Sequence, residues 1–161
     1  MVQRSNGKRR ILVLGYGNPG RQDDGLGPAA ATAVAAWAEP GVDVEAEYQL
    51  NIEHGADLAD YDTVVFVDAS TDAPEPYELK RIAPSDAVTF TTHAVSPGSV
   101  LAIAADHFGA APEAWVLAIR GYEFAFTEAL TPKAGENLAS ALECMHEKLH
   151  AWREKSDGKQ T

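Results

Sequence analysis

Three groups of residues in this chain have types and spacings that can do chemistry. The first is His146-Glu147-Lys148-Leu149-His150, a His-Glu-x-x-His run. On a helix, residues four apart share a face, so two imidazoles can grip zinc while the glutamate serves as general base. Little chain follows His150 to supply a third ligand downstream. Met145, Leu149 and Trp152 form the apolar face and the histidines flank it, which reads as a solvated helix margin near a C-terminus, where positive charge is favourable. The second group is Gly15-Tyr16-Gly17-Asn18-Pro19-Gly20, a literal Gly-x-Gly-x-x-Gly, with Asp43 and Glu45 downstream where a ribose-binding acid would stand. Pro19 removes one N–H from that loop, and Asp23 and Asp24 repel a phosphate. The third group is dispersed: Asp24, Asp68 and His93. Two carboxylates and one imidazole make an open three-ligand set for a divalent ion such as Zn²⁺, Ni²⁺ or Mn²⁺. Each of the three also has an ordinary reading. Asp24 can cap a helix, Asp68 can cap a turn, and His93 can be a hydrogen-bonded loop histidine.

Whether the dispersed set can meet depends on the elements that carry it. Residues 11–14 are a continuous aliphatic run ended by Gly15, a strand buried on both faces. Pro28 opens an Ala-rich helix over 29–39, stopped by Pro40-Gly41. Residues 42–48 alternate apolar and acidic side chains as a second strand, 52–61 form a short helix, and 63–67 are a third buried strand ending at Asp68. Residues 77–82 read as an antiparallel or edge strand and 88–91 as a short extended stretch. Ser96-Pro97 and Thr131-Pro132 are N-cap signals for helices over 99–108, closed by Gly109, and from 132 to about 152. Residues 115–119 are a further buried strand. Strands alternate with helices, which predicts a three-layer α/β domain around a mostly parallel sheet with right-handed crossovers. In such sheets the residues at the carboxyl ends of the strands converge. Those are 15–24, Asp68, His93 and Arg120-Gly121-Tyr122-Glu123.

The 161 residues suit one domain spanning the chain, with 1–10 and 153–161 as loose termini. Thirteen Lys and Arg against 24 Asp and Glu leave a net charge of −11, which argues against a nucleic-acid partner. The single cysteine, Cys144, can build neither an internal disulfide nor a cysteine zinc site, which fits a reducing cytoplasm. No apolar run reaches the ~18 residues of a membrane span. Arg9-Arg10 before the first strand is a basic lead-in, not a targeting peptide.

Taken together, these segments resemble the hydrogenase maturation endopeptidases, over about residues 10–150. The opening carries most of the likeness: Ile11-Leu12-Val13-Leu14-Gly15-Tyr16-Gly17-Asn18, then Asp23-Asp24-Gly25-Leu26-Gly27-Pro28. Val64-Val65-Phe66-Val67-Asp68-Ala69 is similar to the strand bearing the family's second acid, Thr91-Thr92-His93 to the segment bearing its histidine, and Leu130-Thr131-Pro132 to the turn into its last helix. The resemblance implies an α/β/α sandwich around a twisted, mainly parallel sheet, with Asp24, Asp68 and His93 as catalytic, metal-contacting residues. It implies an enzyme that cuts the C-terminal extension from the large-subunit precursor of a nickel–iron hydrogenase after nickel insertion. The nickel is carried by the substrate, and other divalent ions can substitute. Either the metal or a carboxylate activates the water. The chain departs from the pattern where many members carry Gly-Gly-Thr or Gly-Gly-Ser, since Gln49-Leu50-Asn51-Ile52-Glu53-His54 stands there.

Two other readings use the same residues. Gly-Tyr-Gly-Asn-Pro-Gly also resembles the opening of bacterial peptidyl-tRNA hydrolases, but their Thr-Arg-His-Asn segment and basic tRNA surface are missing. A nickel or hydrogenase-subunit chaperone would use the three ligands without hydrolysis.

Overall fold

β1 (Ile11–Tyr16) shows why the sheet is central: its first four side chains are fully buried and alternate between two separate cores. Burying each such side chain is worth about 1.5–3 kcal/mol. The computed structural model describes residues 9–85 and 95–155. A 3₁₀ turn (Gln22–Gly25) runs directly into α1 (Leu26–Ala36). Then come β2 (Val42–Glu47), α2 (His54–Asp57), a second 3₁₀ turn (Leu58–Asp60), β3 (Thr63–Ser70), β4 (Tyr77–Ile82), α3 (Pro97–Phe108), β5 (Glu113–Arg120) and α4 (Pro132–Glu154). The strand order is β2-β1-β3-β5-β4. The first four strands in that order are parallel, and β4 runs antiparallel along the edge of β5.

Helices cover both faces. Ile11, Val13, Val65 and Val67 pack with Leu26 and Val34 of α1 and with Met145, Leu149 and Trp152 of α4. Leu12, Leu14, Val64 and Phe66 pack with Leu50, Leu58 and with Val100 and Leu101 of α3. This is the three-layer, mostly parallel α/β/α sandwich expected from the alternation of elements. Among the described residues, no helix is long and apolar enough to cross a membrane.

Several boundaries differ from the sequence expectation. Pro28 stands third in α1 rather than first, because the 3₁₀ turn feeds the helix from Leu26. It still lies in the first turn, where its missing N–H has no intrahelical acceptor to lose. The helix expected over 52–61 is divided, because the Asn51 side chain accepts the Glu53 N–H at 3.1 Å while the Asn51 N–H donates to His54 Nδ1 at 3.0 Å. That local arrangement delays the helix to His54. β3 continues past residue 67 because β5 pairs with it as far as Ser70↔Arg120. Asp68 therefore lies within the strand, opposite Ala118, not after it. The α3 signals hold: Ser96 accepts the Ser99 N–H at 3.1 Å, and Gly109 closes the helix at φ 62°. The stretch expected over 88–91 lies outside the described residues.

The segments placed at the loose ends are engaged where they are described. Arg9 Nη2 donates to the Asp62 carbonyl at 3.2 Å and reaches Glu113 Oε1 at 3.4 Å. Arg153 and Glu154 complete α4, and Lys155 Nζ meets Glu113 Oε1 at 2.8 Å.

Candidate active site

The carboxyl end of β1 turns away from the sheet at Gly17, whose φ of 142° lies outside the range that L side chains favour. Its N–H is held by the Glu47 carbonyl at 3.0 Å. A Cβ on Gly17 would collide with the Asp24 carbonyl, and one on Gly27 would collide with the carbonyls of both Tyr16 and Val67. The two glycines thus let the 17–27 segment lie directly on the ends of β1 and β3. The loop closes on itself. Asp24 Oδ2 accepts the Asn18 N–H at 2.8 Å, the Asn18 side chain accepts the Gly20 N–H at 2.8 Å, and the Asp24 N–H donates to the Arg21 carbonyl at 3.0 Å.

This packing accounts for the Gly-x-Gly-x-x-Gly pattern. The amides of Asn18 and Gly20, which a pyrophosphate would need, are already bonded within the chain, and an acid occupies the turn. Nor does Asp24 cap α1. The N-cap is Gly25, and no side chain bonds there. Asp24 is half-buried with its carboxylate anchored at one oxygen.

Asp68 shares a sheet face with Val64 and Phe66 by the two-residue period of the strand, as Tyr16 does with Leu12 and Leu14. The Tyr16 phenol and the Asp68 carboxylate are close enough to shift one another's pKa. Burial pushes the Asp68 pKa up, and the nearby Asp24 charge raises it further. The Tyr16 hydroxyl and the Ala69 N–H oppose this, and the balance lies at about 6. Burial, then the charge of Asp68, also holds the Tyr16 phenol well above its usual value. Two predicted ligands, Asp24 and Asp68, are thus neighbours at one sheet edge, close enough for one charge to shift the other. His93 lies outside the described residues. Val95 is buried against Leu14 and Phe66 on the same face as Asp68.

Two residues at this edge went unassigned in the sequence. Tyr16 carries no motif of its own, and only its register on β1 points it at Asp68. Asp23 is fully buried and works as a latch. Its carboxylate accepts the N–H groups of Tyr122 at 2.8 Å, Glu123 at 3.1 Å and Thr131 at 2.8 Å, and the Thr131 hydroxyl at 2.8 Å. Burial opposes its charge, but the bonds from Thr131, Tyr122 and Glu123 outweigh that and hold its pKa below the ordinary carboxylate value. The 121–123 segment, expected near the site as the end of the last parallel strand, thus contributes backbone to fix the acid loop. Arg120 turns away and donates to the Ala73 carbonyl at 2.8 Å.

The segment that stands in place of the family's Gly-Gly loop is organised by His54. This buried histidine accepts the Asn51 N–H through Nδ1 and faces Glu47 through Nε2 at 4.0 Å. Tyr48, 73% exposed, lines a groove with Gly17 and Pro19. The His146 and His150 pair lies elsewhere, on α4, and takes no part here.

No model of a known protein family matches the chain, and no curated protein matches it. Solved structures do match in shape. A [NiFe] hydrogenase maturation protease, HycI, from Thermococcus kodakarensis KOD1 is 23% identical, with a TM-score of 0.69 over 90% of this chain and 95% of that one. The hydrogenase maturating endopeptidase HybD from E. coli is 22% identical, with a TM-score of 0.68 over 88% of this chain and 93% of that one. A hydrogenase 2 maturation peptidase from Thaumarchaeota archaeon SCGC_AB-539-E09 is also 22% identical, with a TM-score of 0.62 over 88% and 98% of the two chains. The chain therefore has the fold in which these hydrogenase maturation proteases are built.

Proposed function

We propose that this protein is an endopeptidase that removes the C-terminal extension of a nickel–iron hydrogenase large-subunit precursor once nickel is in place. One observation carries the reading: Asp24 and Asp68 share the carboxyl edge of β1 and β3, and Asp68 is desolvated, with its pKa raised to about 6 in part by the other charge. Such a pair gains from a cation that removes the repulsion. The likeness in fold to hydrogenase maturation proteases supports the reading.

In this proposal Asp24, Asp68 and His93 engage a nickel ion that belongs to the substrate, and His93 supplies the nitrogen. Two carboxylates and one imidazole leave coordination positions open, so the ion can stay held by the precursor. Amide hydrolysis needs water to add to the scissile carbonyl carbon, the C–N bond to break and a proton to reach the leaving amine. Before the ion is engaged Asp68 is more basic than an ordinary aspartate, and in this proposal a carboxylate oxygen left free of the ion takes the proton of the water. Its place of work is the cytoplasm, consistent with its single thiol.

The test is a gel assay of the purified precursor, loaded with nickel or free of it. Cleavage is expected only of the loaded form, and His93→Ala and Asp68→Asn should each abolish it. Equal cleavage without nickel overturns nickel as the signal, binding without cleavage makes the protein a chaperone, and full activity of both variants removes the site.

A further inference from the structure

The fold brings a third ligand to the His-Glu-x-x-His run from upstream. α1 ends at Ala36, and the chain passes through Trp37, Ala38, Glu39 and Pro40 before β2 begins. Ala38 takes a left-handed φ of 50°, and a residue before proline is held extended, so the direction of Glu39 is set by its neighbours. It projects onto α4. One oxygen of Glu39 and one ring nitrogen from each of His146 and His150 lie within 4.8 Å of one another. His150 Nε2 stands 3.5 Å from Glu39 Oε2, close to the edge of a tetrahedral zinc shell, about 3.4 Å for ligands ~2.1 Å from the ion.

The side chains are suitably poised. The rings of His146 and His150 have centroids 5.0 Å apart, and His146 is set edge-on against Trp37 at 5.2 Å. Among the described residues, no hydrogen bond occupies a ring nitrogen of either histidine. The Glu39 side chain is only 18% exposed, so it is partly stripped of water before any ion arrives. The groove alongside, about 680 Å³ and open, also carries Glu143 and Glu147, whose charges favour a cation and whose space admits water as a fourth ligand.

A second cluster, Glu45, His54 and Asp57, has similar spacing but the wrong hydrogen-bond state. His54 Nδ1 accepts the Asn51 N–H, so in the neutral ring the proton sits on Nε2 and no lone pair faces the carboxylates. That cluster holds a histidine, not an ion.

We propose that Glu39, His146 and His150 form a metal site for a zinc-class divalent ion, separate from the Asp24–Asp68 edge. It lies at the opposite edge of the sheet, where β1 and β2 begin, and would staple the 37–41 turn to α4. An ion that binds only the native chain stabilises it by mass action.

The test titrates ZnCl₂ into metal-free protein by calorimetry, with thermal melting alongside. Wild type is compared with His146→Ala/His150→Ala, with Glu39→Gln, and with Asp24→Asn/Asp68→Asn, in which the other edge is silenced. The last variant should still bind one equivalent of zinc and melt higher with it, and X-ray absorption should report two imidazole ligands. Loss of outer-shell partners costs ~10–100-fold in affinity, so loss of both histidines should weaken this site by at least about 100-fold. The surface histidine variants keep the fold, so the wild-type comparison stands even if the carboxylate variant fails to fold. An unchanged zinc isotherm after removal of both histidines, or a single-imidazole signature in wild type, overturns the proposal.

Discussion

Asp23 holds Thr131 from two sides, accepting its N–H and its hydroxyl, each at 2.8 Å, across 108 positions of sequence. Thr131 in turn caps α4 by accepting the Ala134 N–H at 3.3 Å. The acid loop after β1 and the start of the last helix are therefore one rigid unit, and the neighbouring Asp24 inherits that rigidity.

The latch predicts a cost for Asp23→Ala. Three backbone N–H groups lose a charged acceptor in a buried setting, and each unsatisfied group costs about 1–3 kcal/mol before water or relaxation recovers part of it. We expect a loss of at least ~3 kcal/mol in urea unfolding, with activity falling in step. The pH dependence has a definite sign. Because the folded pKa lies below the ordinary value, the contribution of Asp23 is full above about pH 4 and fades as pH falls through the folded pKa. A loss under 1 kcal/mol would show that the loop is held by something else.

Asp68 predicts the opposite trade. Its pKa is about 6, above its usual value of 3.8, so ionising it works against the fold. Stability in the metal-free protein should decline as pH rises from about 4 through 6, by roughly 3 kcal/mol at most. Asp68→Asn should flatten that decline and be more stable than wild type at pH 7, while processing is lost. Urea titrations at several pH values, paired with the cleavage assay, decide this. A variant less stable than wild type at neutral pH would contradict the burial argument.

Tyr16→Phe should separate positioning from packing. The phenol hydroxyl lowers the Asp68 pKa, so its removal should raise that pKa above about 6. The acid limb of the pH–rate profile should then move to higher pH, with much of the activity recovered on the alkaline side. A uniform loss at every pH would mean that Tyr16 acts by packing alone.

How far the site could be read from the sequence depended on the range of the forces involved. The strands were evident because an aliphatic run such as 11–14 is decided by local patterning, and the caps at Ser96 and Thr131 because they act within one turn. Asp24 and Asp68 stood out as acids near strand ends. What local pattern could not show was the division of labour between Asp23 and Asp24, adjacent and chemically alike. It is settled by partners about a hundred residues away, at Tyr122, Glu123 and Thr131. Nor could spacing alone reveal Glu39 beside His150, since that contact exists only once α1 and α4 pack on the same face.

Glu113 gathers Arg9 from before the first strand and Lys155 from the end of the last helix onto one carboxylate oxygen. Residues 9 and 155 are thus near neighbours in space, at the end of the sheet away from Asp24 and Asp68. A short linker between them would convert the described chain into a ring, and the ring could be reopened at an exposed turn. Such a circular permutant would keep both carboxylates in place, because its new junction lies at the other end of the sheet.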